Sequence, residues 1–307
     1  MKSIDELKSE IDSLKIKLSN SEDFVEQIQL KRDIAKLKAE AYQLILEDEE
    51  NKPFITAYEL LQKKHKKPIF FETGYHWIDK MGGIPKGAFI QFGASSESGK
   101  TTMTIAIALK LANYKKVVHF NFEMSEQLLA KKIKQFTPEE KQLKNYLIDN
   151  VSNDINDLKR EIELHIRDGV EVFIIDSKMK IKTDKRNEYE SASLISKELS
   201  LICQRNEITI ILINQMSEES QRNGYPTLKG SGDQNYDADV VWFLMKPIKK
   251  KGSEDGMIEF DETFRRFIVF KNRYETGKYI VDVKKHELIV EIKDYTLPAT
   301  EIEMTTI

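Results

Sequence analysis

One stretch narrows what this chain can fold into more than any other: residues 92–102, FGASSESGKTT. Counted from Ala94, four residues intervene before Gly99-Lys100-Thr101. That is the spacing of a phosphate-binding loop, with alanine at its first glycine position. Such a loop needs a strand before it and a helix after it. Phe89–Phe92 is an apolar strand candidate, and a helix can open at Thr101. The junction aims backbone N–H groups and a helix N-terminus at one point, where they bind phosphate. Ala94, Ser95, Ser96, Glu97, Ser98, Gly99, Lys100, Thr101 and Thr102 are therefore expected to cradle ATP. Lys100 would reach the β- and γ-phosphates, and the Thr101 hydroxyl would ligate Mg²⁺.

Further apolar strand candidates recur at 117–122, 172–175, 208–213, 240–244 and 266–270. Helix-length segments at 100–113, 125–136, 155–168 and 190–204 alternate with the first of them. This alternation predicts an α/β fold, a mostly parallel central sheet flanked by helices. The segment 279–292 reads as antiparallel edge strands.

Strand ends in such a sheet display functional residues. Asp176 closes the run VFIID and is the expected second holder of Mg²⁺. Glu123 follows the strand at 117–122; it either activates water or is the acid that favours the helix start at Ser125. Gln215 ends the strand after 208 and is placed to sense the γ-phosphate.

Ahead of this domain, Ile4, Leu7, Ile11, Leu14 and Leu18 follow a 3-4-3-4 spacing, a coiled-coil-like seam. Ser19–Asp23 supplies caps for a second helix carrying Val25, Ile28, Ile34, Leu37, Ala41 and Leu44. A hairpin or one bent helix satisfies the pattern. Its apolar face serves its own packing, self-association or a replication partner. The expected organisation is a helical arm over 1–50, a linker with a short amphipathic helix over 51–69, the α/β domain over 70–296 and a flexible tail over 297–307.

The formal net charge is -3, so nucleic-acid binding would have to come from local basic loops. Lys178–Arg186 offers Lys178, Lys180 and Lys182, and 217–236 offers Arg222, Lys229, Gly230 and Ser231. Loops of this kind follow a phosphate backbone, or are solvated surface. The five histidines lack metal-site spacing, and no structural zinc is expected. A lone cysteine, Cys203, fits a reducing cytoplasm. No signal peptide and no bilayer-spanning run is read, so no membrane is expected among the partners.

With these residues in place, several stretches resemble one family. TGYHWIDKMGGIPKGAFIQFGASSESGKTT (73–102) resembles the opening of a RecA-type ATPase core. VVHFNFEMSEQLLAKKI (117–133) and LIDNVSNDINDLKREIELHIRDGVEVFIID (147–176) are similar to its DnaB-type replicative helicase branch. KGSGDQNYDADVVWFLMK (229–246) and VFKNRYETGKYIVDV (269–283) resemble that branch's nucleic-acid loop and late Lys-x-Arg hairpin. The resemblance, which covers about 70–290, implies a RecA-like P-loop ATPase acting as a hexameric, ring-forming helicase on single-stranded DNA in replication. It implies Glu123 for water activation, Gln215 for sensing, and Lys271 and Arg273 for reaching the γ-phosphate of the neighbouring subunit; read alone, the last two are solvated residues near a turn.

Where that family carries a globular N-terminal domain, this sequence has the helices of 1–48. Asp176-Ser177 and ILINQ (211–215) are closer to the recombinases, and FKNRYETG is partly like the RadA branch-migration proteins. Two other readings stand beside the helicase: a recombination or branch-migration ATPase, and a nucleotide-switched assembly ATPase that does not unwind DNA.

Overall fold

The computed structural model describes residues 4–21, 23–47, 56–62, 68–150, 152–217, 220, 223, 226–229, 237–251, 258–274, 279–289 and 305–306. The chain forms two compact units, 1–67 and 68–307.

The first unit holds α1 (Ile4–Asn20), α2 (Phe24–Glu47) and α3 (Ala57–Gln62). α1 and α2 pack on each other as a hairpin. Asp23 turns the chain, accepting from the backbone N–H of Val25 at 2.9 Å. Leu7 and Ile11 on α1 and Leu30, Ile34 and Ala41 on α2 are buried. Val25 and Ile28, expected on the same stripe, are exposed. At 3.6 residues per turn Leu30, Ile34 and Ala41 share a face, whereas Val25 falls on the opposite one.

The second unit begins with β1 (Phe70–Phe71), α4 (His76–Asp79), β2 (Ile84–Pro85) and β3 (Phe89–Ala94). It continues through α5 (Lys100–Leu111), β4 (Val117–Asn121), α6 (Glu126–Lys134), α7 (Glu140–Asn145) and β5 (Tyr146–Asp149). Next come α8 (Ile155–Arg167), β6 (Val172–Asp176), α9 (Glu188–Asn206), β7 (Thr209–Gln215) and β8 (Val240–Met245). The chain closes with β9 (Ile248–Lys251), β10 (Ile258–Phe260), β11 (Phe264–Asn272), β12 (Tyr279–Lys284) and β13 (Thr305–Thr306).

Nine strands form one sheet in the order β13-β12-β11-β8-β3-β7-β6-β4-β5. From β8 to β5 every pairing is parallel, and β11, β12 and β13 add an antiparallel edge. Within the segment expected to be loose, Thr305 pairs with Ile280 and Thr306 with Tyr279.

Alternate residues of each central strand feed two apolar layers, as side-chain alternation in a pleated strand requires. Ile90, Phe92, Ile174, Ile211, Ile213, Trp242 and Leu244 pack with α4 and α5. Phe89, Phe120, Phe173, Ile175, Ile210, Leu212 and Phe243 pack with α8 and α9. Both faces of the sheet are covered, which is why its strands read as apolar runs without alternation. Gly93 is a packing glycine rather than a loop glycine. A Cβ there would lie 2.5 Å from Leu228 Cδ2 and 2.6 Å from Phe243 Cε1.

Candidate nucleotide site

Parallel strands deliver their C-terminal ends to one crest. Register sets Asn121 beside Asp176 and Ala94 beside Gln215. After Ala94 the backbone bends sharply: Glu97 and Gly99 have φ of 56° and 104°. Gly99 immediately precedes α5, and a Cβ on it would meet Leu288 Cδ1 at 2.7 Å.

The loop is held from below. Ser98 is buried and donates from Oγ to the Ser95 carbonyl at 2.8 Å. Arg265, wholly buried on β11, donates from Nε to the Ser98 carbonyl at 2.9 Å. The Ser95 N–H donates to the Leu244 carbonyl at 3.0 Å, while its buried hydroxyl has no hydrogen-bond partner.

Lys100 Nζ lies 2.8 Å from Glu123 Oε2 and 3.4 Å from Asp176 Oδ1. Thr101 Oγ1 is 3.4 Å from Asp176 Oδ2. Ser177 donates to the other oxygen of Glu123, and the Asp176–Ser177 peptide is cis. Burial pushes the Asp176 carboxyl above the usual range, with the Lys100 charge opposing and the Glu123 charge adding to it. Burial pushes Glu123 in the same direction, but hydrogen bonds from Lys100 and Ser177 and the Lys100 and Lys180 charges outweigh it. Glu123 is therefore held below its ordinary value.

These residues fit a nucleotide and its Mg²⁺. A left-handed glycine opens a helix, a lysine amine sits between carboxylates, and a buried hydroxyl is left unpaired. Thr101 and Asp176 offer oxygen ligands only, few enough for Mg²⁺ to keep several waters. Beside the loop, Ser98, Gly99, Thr102, Thr263, Lys285 and His286 line part of a cleft of about 410 Å³. Of the other loop residues, Ser96 and Glu97 are exposed. Gln215 is exposed at the end of β7, and its carbonyl accepts from the Lys229 N–H at 2.9 Å.

Lys271 and Arg273 are not at this crest. Lys271 pairs in register with Val241 and Asn272 with Val240, whose other neighbour is Ile90. Ala94 lies four residues further along β3, roughly 13 Å at the rise of a strand. Lys271 donates to the Ala238 carbonyl, and Arg273 pairs with Asp239 at 2.9 Å. Asp239 also accepts from the Phe89 N–H at 2.9 Å, fixing this opposite end of the sheet.

Among the expected DNA contacts, Lys180, Lys182 and Lys229 are exposed. Lys178 is not. Its amine turns inward and donates to the Lys229 carbonyl at 3.2 Å, and burial pushes its pKa down to about 8. Its place in the basic run Lys178–Arg186 therefore does not make it a surface contact. Arg222, Gly230 and Ser231 lie outside the described residues.

Ser177, Asp239 and Arg265 were not singled out from sequence. Ser177 had a signal, its place directly after Asp176; the other two are read only through partners far away in the chain. No described helix is long and apolar enough to cross a membrane.

The model of the DnaB-like helicase C-terminal domain family matches residues 129–286, just over half the chain. No curated protein matches the sequence. Among solved structures, an ATPase domain is similar at a TM-score of 0.56 and 20% identity, covering 73% of this chain and 91% of that one. A KaiC-like protein of the hyperthermophilic archaeon Pyrococcus horikoshii is similar at 0.53 and 17% identity, covering 71% and 96%. At these identities the two structures speak for the fold, a RecA-like ATPase core.

Proposed function

This chain belongs to the DnaB-like helicase C-terminal domain family, and from that premise we propose that it is the motor of a ring-forming DNA helicase. It hydrolyses ATP with Mg²⁺ and translocates on single-stranded DNA in replication, in the cytoplasm. The observation that carries this reading is the split of the machinery. Lys100, Thr101, Glu123 and Asp176 meet at one end of the sheet, and Lys271 and Arg273 stand at the other. A site divided in this way is complete only where two subunits meet.

In this mechanism Lys100 turns from its carboxylate partners to the β- and γ-phosphates. Thr101 and Asp176 would hold Mg²⁺, which would supply charge neutralisation at the phosphates. Glu123, kept ionised by its neighbours, accepts the proton of the attacking water. Gln215, in register with the loop, senses the γ-phosphate. Lys271 and Arg273 serve the neighbour's nucleotide. The cleft by Thr102, Thr263, Lys285 and His286 takes the nucleoside.

DNA runs along Lys180, Lys182 and Lys229, with Arg222, Gly230 and Ser231 of the stretch 217–236, held through the backbone without reading sequence. The α1–α2 hairpin serves self-association or docking of a replication partner.

The test is strand displacement on a forked duplex with ATP and Mg²⁺, with Lys100→Ala as the blank. Displacement absent from the blank supports the motor. A folded, ATP-hydrolysing protein that displaces nothing overturns it in favour of recombination or partner-dependent assembly.

A further inference from the structure

A second cluster lies outside the nucleotide site. Asp149 closes the edge strand β5, and Glu161 and His165 stand one turn apart on one face of α8. One ligand atom from each lies within 4.8 Å of the other two, and His165 Nε2 is 3.1 Å from Asp149 Oδ2. Asp149 is buried, and the other two are half-buried. The His165 ring is set edge-on against Phe120 with centroids 6.3 Å apart. Among the described residues the Glu161 carboxylate makes no hydrogen bond or ion pair, although it is partly withdrawn from water beside a second carboxylate.

We propose that Asp149, Glu161 and His165 bind a divalent transition metal ion, Zn²⁺ being the one their chemistry fits best. One imidazole and two carboxylates match Zn²⁺, whereas Mg²⁺ and Ca²⁺ favour oxygen ligands alone. Bonds of about 2.0–2.2 Å put tetrahedral ligand atoms roughly 3.4 Å apart. The His165–Asp149 pair is already near that separation, and the Glu161 oxygen, within 4.8 Å of both, has about 1.4 Å at most to close. Three protein ligands leave a fourth position for water. The ion neutralises two neighbouring carboxylates and clips α8 to the outermost parallel strand. Spacing alone conceals the set, because two ligands are a helical turn apart and the third comes from a strand.

The experiment uses the full chain, stripped with chelator and free of nucleotide. Zn²⁺ is titrated in competition with a chromophoric chelator, and Co²⁺ is added separately to read its ligand-field absorption. One equivalent should bind, and His165→Ala and Glu161→Gln should each weaken binding at least about tenfold and lose the Co²⁺ bands. Asp176→Asn should leave binding unchanged. Glu161→Gln keeps the shape of the side chain and decides the matter if His165→Ala does not fold. Absence of a bound equivalent, binding indifferent to Glu161→Gln, or binding lost in Asp176→Asn overturns the proposal.

Discussion

Lys100 and Glu123 are paired at 2.8 Å, and the same amine reaches Asp176 at 3.4 Å. The cation and the base that the proposed mechanism assigns to phosphate and to water therefore neutralise each other in this arrangement. Glu123→Gln removes the base and leaves one amide oxygen to accept from Ser177, while its NH₂ cannot accept from Lys100. ATP hydrolysis should fall by about 10²–10⁴, with nucleotide affinity equal or tighter because Lys100 is less firmly held. Steady-state rates and a fluorescent-nucleotide titration check this, and a rate close to wild type removes Glu123 from the chemistry.

Separation of Lys271 and Arg273 from the crest predicts complementation between subunits. Lys100→Ala and Arg273→Ala should each be inactive alone. In an equimolar mixture about a quarter of interfaces join an intact Lys100 to an intact Arg273, so activity should reappear on mixing. Lys271→Ala should behave in the same way, without disturbing the Arg273–Asp239 pair directly. A mixture as inactive as its components counts against a shared site.

Lys178 gives a prediction in pH. Burial lowers its pKa from 10.5 to about 8, so between these values the unfolded chain binds more protons than the folded one. Stability from this residue is therefore fully present above about 10.5 and lost as pH falls through about 8, a penalty on the order of 3 kcal/mol at neutral pH. Lys178→Met should be more stable than wild type at pH 7, and its melting temperature should rise less between pH 8 and 10. Parallel melting curves for the two proteins over that range would contradict the burial of the amine.

Gly99 meets two constraints at once, a φ of 104° and Leu288 at 2.7 Å from any Cβ. Gly99→Ala should lower both melting temperature and ATP affinity, the backbone alone costing about 1–3 kcal/mol. Leu288→Ala removes the overlap but not the backbone strain. The double variant should thus be less destabilised than the sum of the singles, yet remain below Leu288→Ala. Strict additivity would show that the two residues do not meet.

Local junctions were the part that could be read in the sequence. The phosphate loop from Ala94 to Thr102 announces its own strand and helix, and Asp176 and Glu123 follow because parallel strands must end on a common crest. The two N-terminal helices and the order of alternating elements were legible for the same reason, one period at a time, while a hairpin and one bent helix fitted the pattern equally. What stayed hidden is long-range. Arg265 holds a carbonyl 167 positions away, and Tyr75 donates to the Leu288 carbonyl across 213. Lys178 misled because a basic run reads as solvated, whereas a short turn after the strand end swings its first amine into the protein.

Arg265 and Leu288 have a consequence for biosynthesis. A nascent chain that has delivered residues 1–260 already owns Lys100, Glu123 and Asp176, but neither the guanidinium beneath Ser98 nor the leucine against Gly99. At about 5–20 residues per second, Leu288 follows residue 260 by a few seconds, and on the proposed reading the loop would hold a nucleotide only after that. A stalled or clipped product should then be silent rather than a slow, unregulated consumer of ATP.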